Sequence, residues 1–162
     1  MNARGVVFVH SSPTAVCPHV EWAISGVLGT KVSLQWTPQP AVPGQLRAEC
    51  TWSGPAGSGG AIAGALRAWK MLRFEVTEDP TPGVDGERFC YVPSLGLWRG
   101  QTSASGDVVV GENRLRALLD EVPAAQLAAR MHDLLGSAWD DALEVFRYAG
   151  DGAPVTWLHQ VG

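Results

Sequence analysis

The chain has 162 residues, a length at which one domain buries most of its surface and folds without disulfides or metals. Hydrophobic residues make up 46% and charged residues 17%, which excludes a disordered tail. Twelve basic against sixteen acidic residues give a net charge of −4, and this argues against nucleic-acid binding through a basic surface.

The amino terminus and the cysteines indicate the cellular compartment. The apolar run Val6–Val9 is shorter than the roughly 7–15 residues of a signal peptide. No stretch approaches the roughly 18 apolar residues of a membrane span, so we expect no membrane contact. The three cysteines, Cys17, Cys50 and Cys90, are odd in number and far apart, which suits a reduced environment. We therefore expect a cytoplasmic protein.

Strands and helices alternate in the first half of the chain. The run at residues 5–10 is continuously apolar and predicts a strand buried on both faces, whereas later strands alternate apolar and polar residues. Hydrophobic periodicity predicts strands at 5–10, 32–37, 45–52 and 72–77, and helices at 16–28 and 62–69. This βαββαβ order is the ferredoxin-like pattern, with a four-stranded antiparallel sheet and both helices on one face.

A segment rich in proline and glycine, residues 79–86, separates this half from the rest. Beyond it, the pattern predicts strands at 88–92, 95–102, 108–110 and 155–159, and helices at 113–122, 124–135 and 137–146. The spacing of Ser137 and Asp140 predicts a capping box for the last helix. We expect an α+β protein in which residues 1–79 form the ferredoxin-like unit. Residues 80–162 add strands and helices that pack onto it in one compact domain.

Seven tryptophans are many for this length. Periodicity places four on inward positions, which predicts that they are core residues: Trp22, Trp36, Trp52 and Trp69. The other three lie in the less regular half and are either core residues or anchors for a partner: Trp98, Trp139 and Trp157.

The most polar loop joins the first predicted strand to the first predicted helix. It carries hydroxyls, imidazoles and a thiol on His10, Ser11, Ser12, Thr14, Cys17 and His19. A helix N-terminus offers unpaired N–H groups and a positive dipole end, which favour an anion. The loop is therefore our candidate site for a small anionic ligand. The alternative is purely structural, with the hydroxyls making a turn and a helix cap.

An enzyme is the competing hypothesis for the same loop. A thiol near a helix N-terminus has a lowered pKa, so Cys17 is a candidate nucleophile with His10 or His19 as its base. The spacing of these three residues matches no recurrent zinc pattern and no fourth ligand is identifiable, so we expect neither a metal nor another cofactor.

A glycine-rich turn, Gly54–Ala61, follows the third predicted strand. It lacks the lysine of a Walker loop, and Ile62 stands where the dinucleotide fingerprint requires a small residue. The turn is therefore either a flexible connection or a cradle of backbone amides for an anion.

Several strings resemble an actinobacterial family of about 160 residues known only as a domain of unknown function. They are residues 1–15, 17–22, 72–78 and 153–159, and the resemblance covers essentially the whole chain. It implies an actinobacterial cytoplasmic protein, and it transfers no catalytic residue. It also implies, loosely, a partner in lipid or fatty-acid metabolism.

Together these observations predict a non-catalytic binding or adaptor protein whose partner is another protein or a small anionic metabolite. A small enzyme that uses Cys17 or His10 and His19 is the alternative. The third hypothesis, a carrier protein of lipid metabolism as the partner, requires a basic patch on this chain, and the clustered cations of the sequence are Arg67, Lys70 and Arg73.

Overall fold

The structure is a computed structural model that describes residues 2–149 and the backbone of residues 155–157. Its strands are β1 (Asn2–Pro13), β2 (Thr37–Pro38), β3 (Gln45–Pro55), β4 (Arg73–Glu78), β5 (Gly86–Val92), β6 (Gly96–Thr102), β7 (Val108–Val109) and β8 (Val155–Trp157). Its α-helices are α1 (Cys17–Leu28), α2 (Ser58–Leu66), α3 (Glu112–Glu121), α4 (Leu127–Leu135) and α5 (Ser137–Ala149), with short 3₁₀ turns at Thr14–Val16 and Ala124–Gln126.

One sheet contains all of these strands, in the order β2-β3-β1-β4-β5-β6-β7. Neighbours in this order are antiparallel, and β8 adds a parallel pairing to β3 with Val155 opposite Glu49. The α+β class is confirmed, and β1 pairs antiparallel with both β3 and β4 as predicted. The sheet continues past four strands because β5 pairs with β4. The division into residues 1–79 and 80–162 stays a prediction.

The first face of the sheet is covered by α1 and α2. Val7 and Val9 on β1 point to this face and are almost completely buried. The apolar stripes of the two helices close over them, and the core includes Val20, Ile24, Ile62, Leu66, Phe74 and Val76. Because side chains alternate along a strand, Phe8 and His10 point to the opposite face.

The second face is covered by α5 near β1 and β5. A smaller apolar cluster lies there, formed by Cys90, Val92, Trp98 and Leu143 with Trp139 beside it. The Trp98 indole donates to the Asp133 carbonyl at 3.2 Å, and the Trp139 indole donates to the Gly96 carbonyl at 2.9 Å. Both rings therefore belong to the core of this layer. The Trp157 side chain and residues 158–162 lie outside the described residues.

The prediction of a strand at residues 32–37 is wrong, since only Thr37–Pro38 pair with β3. The Leu34 amide and the Trp36 indole both donate to the Glu21 carboxylate, at 3.1 and 2.8 Å. Backbone amides that a strand would donate to its neighbour are thus bound to side chains of α1, the Leu34 amide to Glu21 and the Val32 amide to Ser25 Oγ at 2.9 Å. The alternating pattern of residues 32–37 is compatible with an extended segment, but hydrogen bonds to side chains of α1 take the place of strand pairing.

The prediction that Trp22 is a core residue is also wrong, because its side chain is 74% exposed. The buried stripe of α1 is Val20, Ile24 and Leu28. Trp22 lies two residues from Val20, which is about 200° around the helix, so it points away from this stripe. Of the three other tryptophans predicted to be inward, Trp52 is buried and Trp36 and Trp69 pack partly against the core.

At Gly5 the backbones of β1 and β4 approach each other closely. A Cβ at this position would lie 1.8 Å from the carbonyl oxygen of Thr77 and 2.7 Å from its carbonyl carbon, and both of these are backbone atoms. We expect Gly5→Ala to lower the free energy of unfolding by roughly 1–3 kcal/mol or more, because β1 and β4 must separate. Urea denaturation measures the loss.

Gly26→Ala is the matched control for this prediction. A Cβ at Gly26 meets nothing within 4 Å, and the residue lies inside α1. Alanine there should leave stability unchanged or raise it by up to about 1 kcal/mol. Equal denaturation midpoints for the two variants would contradict the close approach at Gly5.

Candidate functional site

The loop predicted to bind an anion is largely closed to solvent. Ser11 and Ser12 are completely buried, and Cys17 is buried beneath them. The Cys17 thiol donates to Ser12 Oγ at 3.6 Å and to the Pro13 carbonyl at 3.5 Å. Burial raises the pKa of the Cys17 thiol, which is the opposite of what a nucleophile needs.

The two histidines of this loop lie on opposite sides of the sheet. His10 stacks on Phe8 and faces α5, with 5.9 Å between the ring centroids. His19 lies on α1 and stacks on Trp69, with 5.7 Å between the centroids. The structure therefore does not bring the two imidazoles together. Thr14 and His19 are the exposed residues of the predicted set, so the hypothesis of an anion at this loop now depends on them.

The buried carboxylate of Glu75 collects donors from four side chains on the second face. His10 Nε2 lies 2.6 Å from Glu75 Oε2, and Arg147 Nε donates to the same oxygen at 2.9 Å. Arg88 donates to Glu75 Oε1 at 3.1 Å, and the Cys90 thiol lies 3.5 Å from it. Since Arg147 belongs to α5, this carboxylate ties the helix to three strands of the sheet.

Asp140 extends this cluster along α5. Its Oδ1 accepts from Arg88 at 2.7 Å and from Arg147 at 3.0 Å, so two carboxylates alternate with two guanidinium groups. The predicted capping box is therefore wrong: the Asp140 carboxylate binds arginines of the tertiary structure. The Ser137 hydroxyl lies 2.9 Å from His132 Nδ1.

The protonation states of the cluster follow from burial and from these contacts. Burial alone would raise the pKa of Glu75, but the hydrogen bonds from His10 and Arg147 outweigh it and hold this pKa well below its usual range. An ionised Glu75 only accepts, so the proton in the short contact belongs to His10 Nε2. Burial, aided by the nearby Glu75 charge, raises the pKa of Cys90 to about 12. His10 is 3% exposed, so the cluster presents no imidazole to a substrate.

The glycine-rich turn does bind an anion, which is the carboxylate of Glu78 from the same chain. The Gly57 amide donates to Glu78 Oε2 at 3.0 Å, and the Gly59 amide donates to Glu78 Oε1 at 2.9 Å. The carboxylate satisfies N–H groups at the start of α2. The helix consequently begins at Ser58, earlier than the predicted residue 62.

A cleft of about 570 Å³ lies beside this turn, between α2 and the β5–β6 hairpin. This volume falls within the range of small-molecule sites. The residues that shape it are Gly60, Gly64, Arg67, Phe89, Leu97 and Arg99. We call it the α2 cleft.

The α2 cleft combines an apolar floor with a free cation. Phe89 and Leu97 form the floor, and a Cβ at Gly64 would meet nothing within 4 Å. Arg99 forms an ion pair with Glu87, whereas the Arg67 guanidinium has no hydrogen bond or ion pair within the described residues. Sequence reasoning missed the cleft because its residues come from distant segments with no shared motif.

The three clustered cations of the sequence do not form one patch. Arg67 lines the α2 cleft on the first face. Arg73 instead donates to Ser11 Oγ at 3.3 Å and lies 4.6 Å above the Phe146 ring on the second face. The sheet separates the two guanidinium groups.

Comparison with known proteins identifies a family match. Residues 6–160 match the family model described as "Protein of unknown function (DUF3145)". No curated protein and no solved structure matches the chain. In the described part of the chain, none of the helices has the length and apolarity needed to cross a membrane. Those same residues contain no group of three or more histidine, cysteine or acidic side chains arranged to hold a metal ion.

The Glu75 cluster predicts a pH-dependent stability. We expect Glu75→Gln to lower the free energy of unfolding at pH 7 by about 3 kcal/mol, the lower end of the cost of breaking a buried ion pair, because the partly buried Arg88 and Arg147 then keep Asp140 as their carboxylate partner. The contribution of Glu75 is present above the unfolded carboxyl pKa of about 4.3 and is lost as the pH falls towards the lower folded value. The difference in free energy of unfolding between wild type and variant should therefore become smaller from pH 5 to pH 3.

Glu112→Gln serves as the control in the same urea titrations. Glu112 also pairs with an arginine, Arg116, but both side chains are exposed, so its loss should change stability little at any pH. If the difference in free energy of unfolding between wild type and Glu75→Gln stayed constant across this range, the ionised form of Glu75 would not be what stabilises the protein.

Proposed function

The chain belongs to the DUF3145 family, and we propose that it is a non-catalytic binding protein whose α2 cleft takes a small ligand with an apolar body and an anionic group. One observation carries the proposal: the Arg67 guanidinium, without an internal partner in the described chain, lines a cleft with an apolar floor. Arg67 is exposed to solvent, and an anionic group on a ligand would replace water as the partner of its guanidinium.

The other charges of the cleft support this ligand class. The Glu78 carboxylate is engaged by the amides at the start of α2, and Glu87 is paired with Arg99. Asp85 lines the cleft near the Glu78 end, whereas Arg67 follows the last residue of α2 at the opposite end. An anionic group therefore fits at the Arg67 end. Phe89 packs against α2 at Gly60, whereas a Cβ at Gly64 would meet nothing within 4 Å, so the room for a flat apolar body lies beside Gly64.

The placement of the candidate catalytic residues favours binding over catalysis. The pKa of the Cys17 thiol is raised by burial, and His10 is fully engaged with Glu75 inside the protein. His19 lies on the surface against Trp69, away from the Glu75 cluster. The separation of Arg67 from Arg73 also favours a small ligand over an acidic carrier protein. The cytoplasm remains our proposed location, and the three cysteines are unpaired and buried.

Phenyl phosphate, which joins a flat ring to a dianion, is the probe for this proposal. In a titration followed by amide NMR signals, we expect saturable shifts at Gly60, Gly64, Phe89 and Leu97. Arg67→Ser should weaken binding about tenfold, because a hydrogen bond to a charged group contributes about 1.5 kcal/mol. Gly64→Phe should abolish the shifts by filling the cleft.

Arg130→Ser on α4 is the charge-matched control and should bind like wild type. Inorganic phosphate, which lacks the ring, should shift the same signals only at much higher concentration. Shifts confined to residues 11–20 would place the ligand at the first βα loop instead. If the ligand-induced shifts of the amide signals were unchanged in both Arg67→Ser and Gly64→Phe, the cleft would not be the binding site.

A further inference from the structure

Arg99 is the second arginine that lines the α2 cleft, and its guanidinium lies above the cleft floor. The guanidinium carbon is 5.8 Å from the centre of the Phe89 ring, and the sheet register sets Phe89 directly opposite Arg99. Arg99 forms an ion pair with Glu87, which also lines the cleft. The cleft therefore contains a carboxylate of the protein itself that is bound to one of its two arginines.

This ion pair is accessible to solvent and is therefore easily exchanged. The Arg99 side chain is 65% exposed. An exposed ion pair contributes little stability because water and salt compete with it, and an exposed contact between a cation and an aromatic ring is similarly weak. Water can replace Arg99 as the partner of the Glu87 carboxylate. The Arg99 side chain can thus leave Glu87 for another anion at a small cost in free energy.

The register of the sheet places the Arg67 end of the cleft beside Arg99. Leu97 precedes Arg99 by two residues on β6, so it points to the same face and lies about 7 Å away. Leu97 pairs with Tyr91, whose hydroxyl donates at 3.2 Å to the carbonyl of Lys70, just beyond the end of α2. Arg67, which follows the last residue of α2, is therefore on the Leu97 side of Arg99. An anionic group between the two arginines is within reach of both long side chains.

We infer that Arg99 is the second anion-binding residue of the α2 cleft and that Glu87 competes with the ligand for it. The inference rests on the proposed function, because the anionic group bound by Arg67 is the one that draws Arg99 away from Glu87. In the empty cleft, Glu87 binds Arg99 above Phe89. In the occupied cleft, Arg67 and Arg99 donate to the anionic group from two sides, and a phosphate has enough oxygens to accept from both guanidinium groups.

A cycle of two substitutions tests the competition, with phenyl phosphate as the ligand and amide NMR signals as the readout. Glu87→Gln should tighten binding about fivefold, the factor that corresponds to a strong exposed ion pair. Arg99→Ser should cancel this gain, so the double variant should bind no more tightly than Arg99→Ser alone. In wild type, the side-chain Nε–H signal of Arg99, identified by its absence from Arg99→Ser, should shift when ligand is added.

Glu112→Gln is the matched control, since it breaks an exposed ion pair with Arg116 outside the cleft and should bind like wild type. If the gain from Glu87→Gln persisted without Arg99, Glu87 would only repel the ligand and the inference would be overturned. Equal affinities of wild type and Glu87→Gln would overturn it too. Both results leave the proposed function intact if Arg67→Ser still weakens binding, whereas loss of that dependence would contradict the anion site itself. Melting temperatures should confirm that each variant folds.

Discussion

The second layer of this protein depends on one buried carboxylate. An ionised side chain away from water is costly unless its oxygens are paired, and Glu75 meets this requirement with donors from β1, β5 and α5. The pairing works in both directions. The carboxylate needs α5 for Arg147, and α5, whose one buried residue among those described is Leu143, needs the carboxylate to fix its position on the sheet. The ion pairs are directional and therefore fix one orientation of the helix on the sheet. The apolar contacts of the small cluster beneath it are not directional and specify this orientation less strictly.

Strand β4 organises both faces of the sheet through two glutamates. Glu75 and Glu78 are three residues apart, and since side chains alternate along a strand, they point in opposite directions. Glu75 fixes α5 on the second face, and Glu78 accepts the amides that begin α2 on the first face. The α2 cleft opens beside the second of these contacts. The geometry of the candidate site therefore depends on a carboxylate that remains inside the protein.

Periodicity was sufficient to predict the α+β class and the antiparallel pairing of β1 with β3 and β4, because burial on one face leaves a repeating pattern. It failed at residues 32–37, where two side chains of α1 bind backbone amides and no ladder forms: Glu21 accepts from the Leu34 amide and Ser25 from the Val32 amide. The candidate site was less accessible to prediction. Arg67 and Phe89 lie in different elements without a motif, and only the fold brings them to one cleft. The polar loop was a clear signal in the sequence, but the hydroxyls of Ser11 and Ser12 are buried inside the protein and do not face a ligand.

The separation of Glu75 from Arg147 along the chain has a consequence for biosynthesis. The two residues are 72 positions apart, so the ribosome releases the carboxylate long before its main cationic partner. Until α5 emerges, Glu75 has His10 and Arg88 but not Arg147 as partners, and the second face of the sheet lacks the helix that covers it. Native packing is completed in a late step, when the last helix arrives.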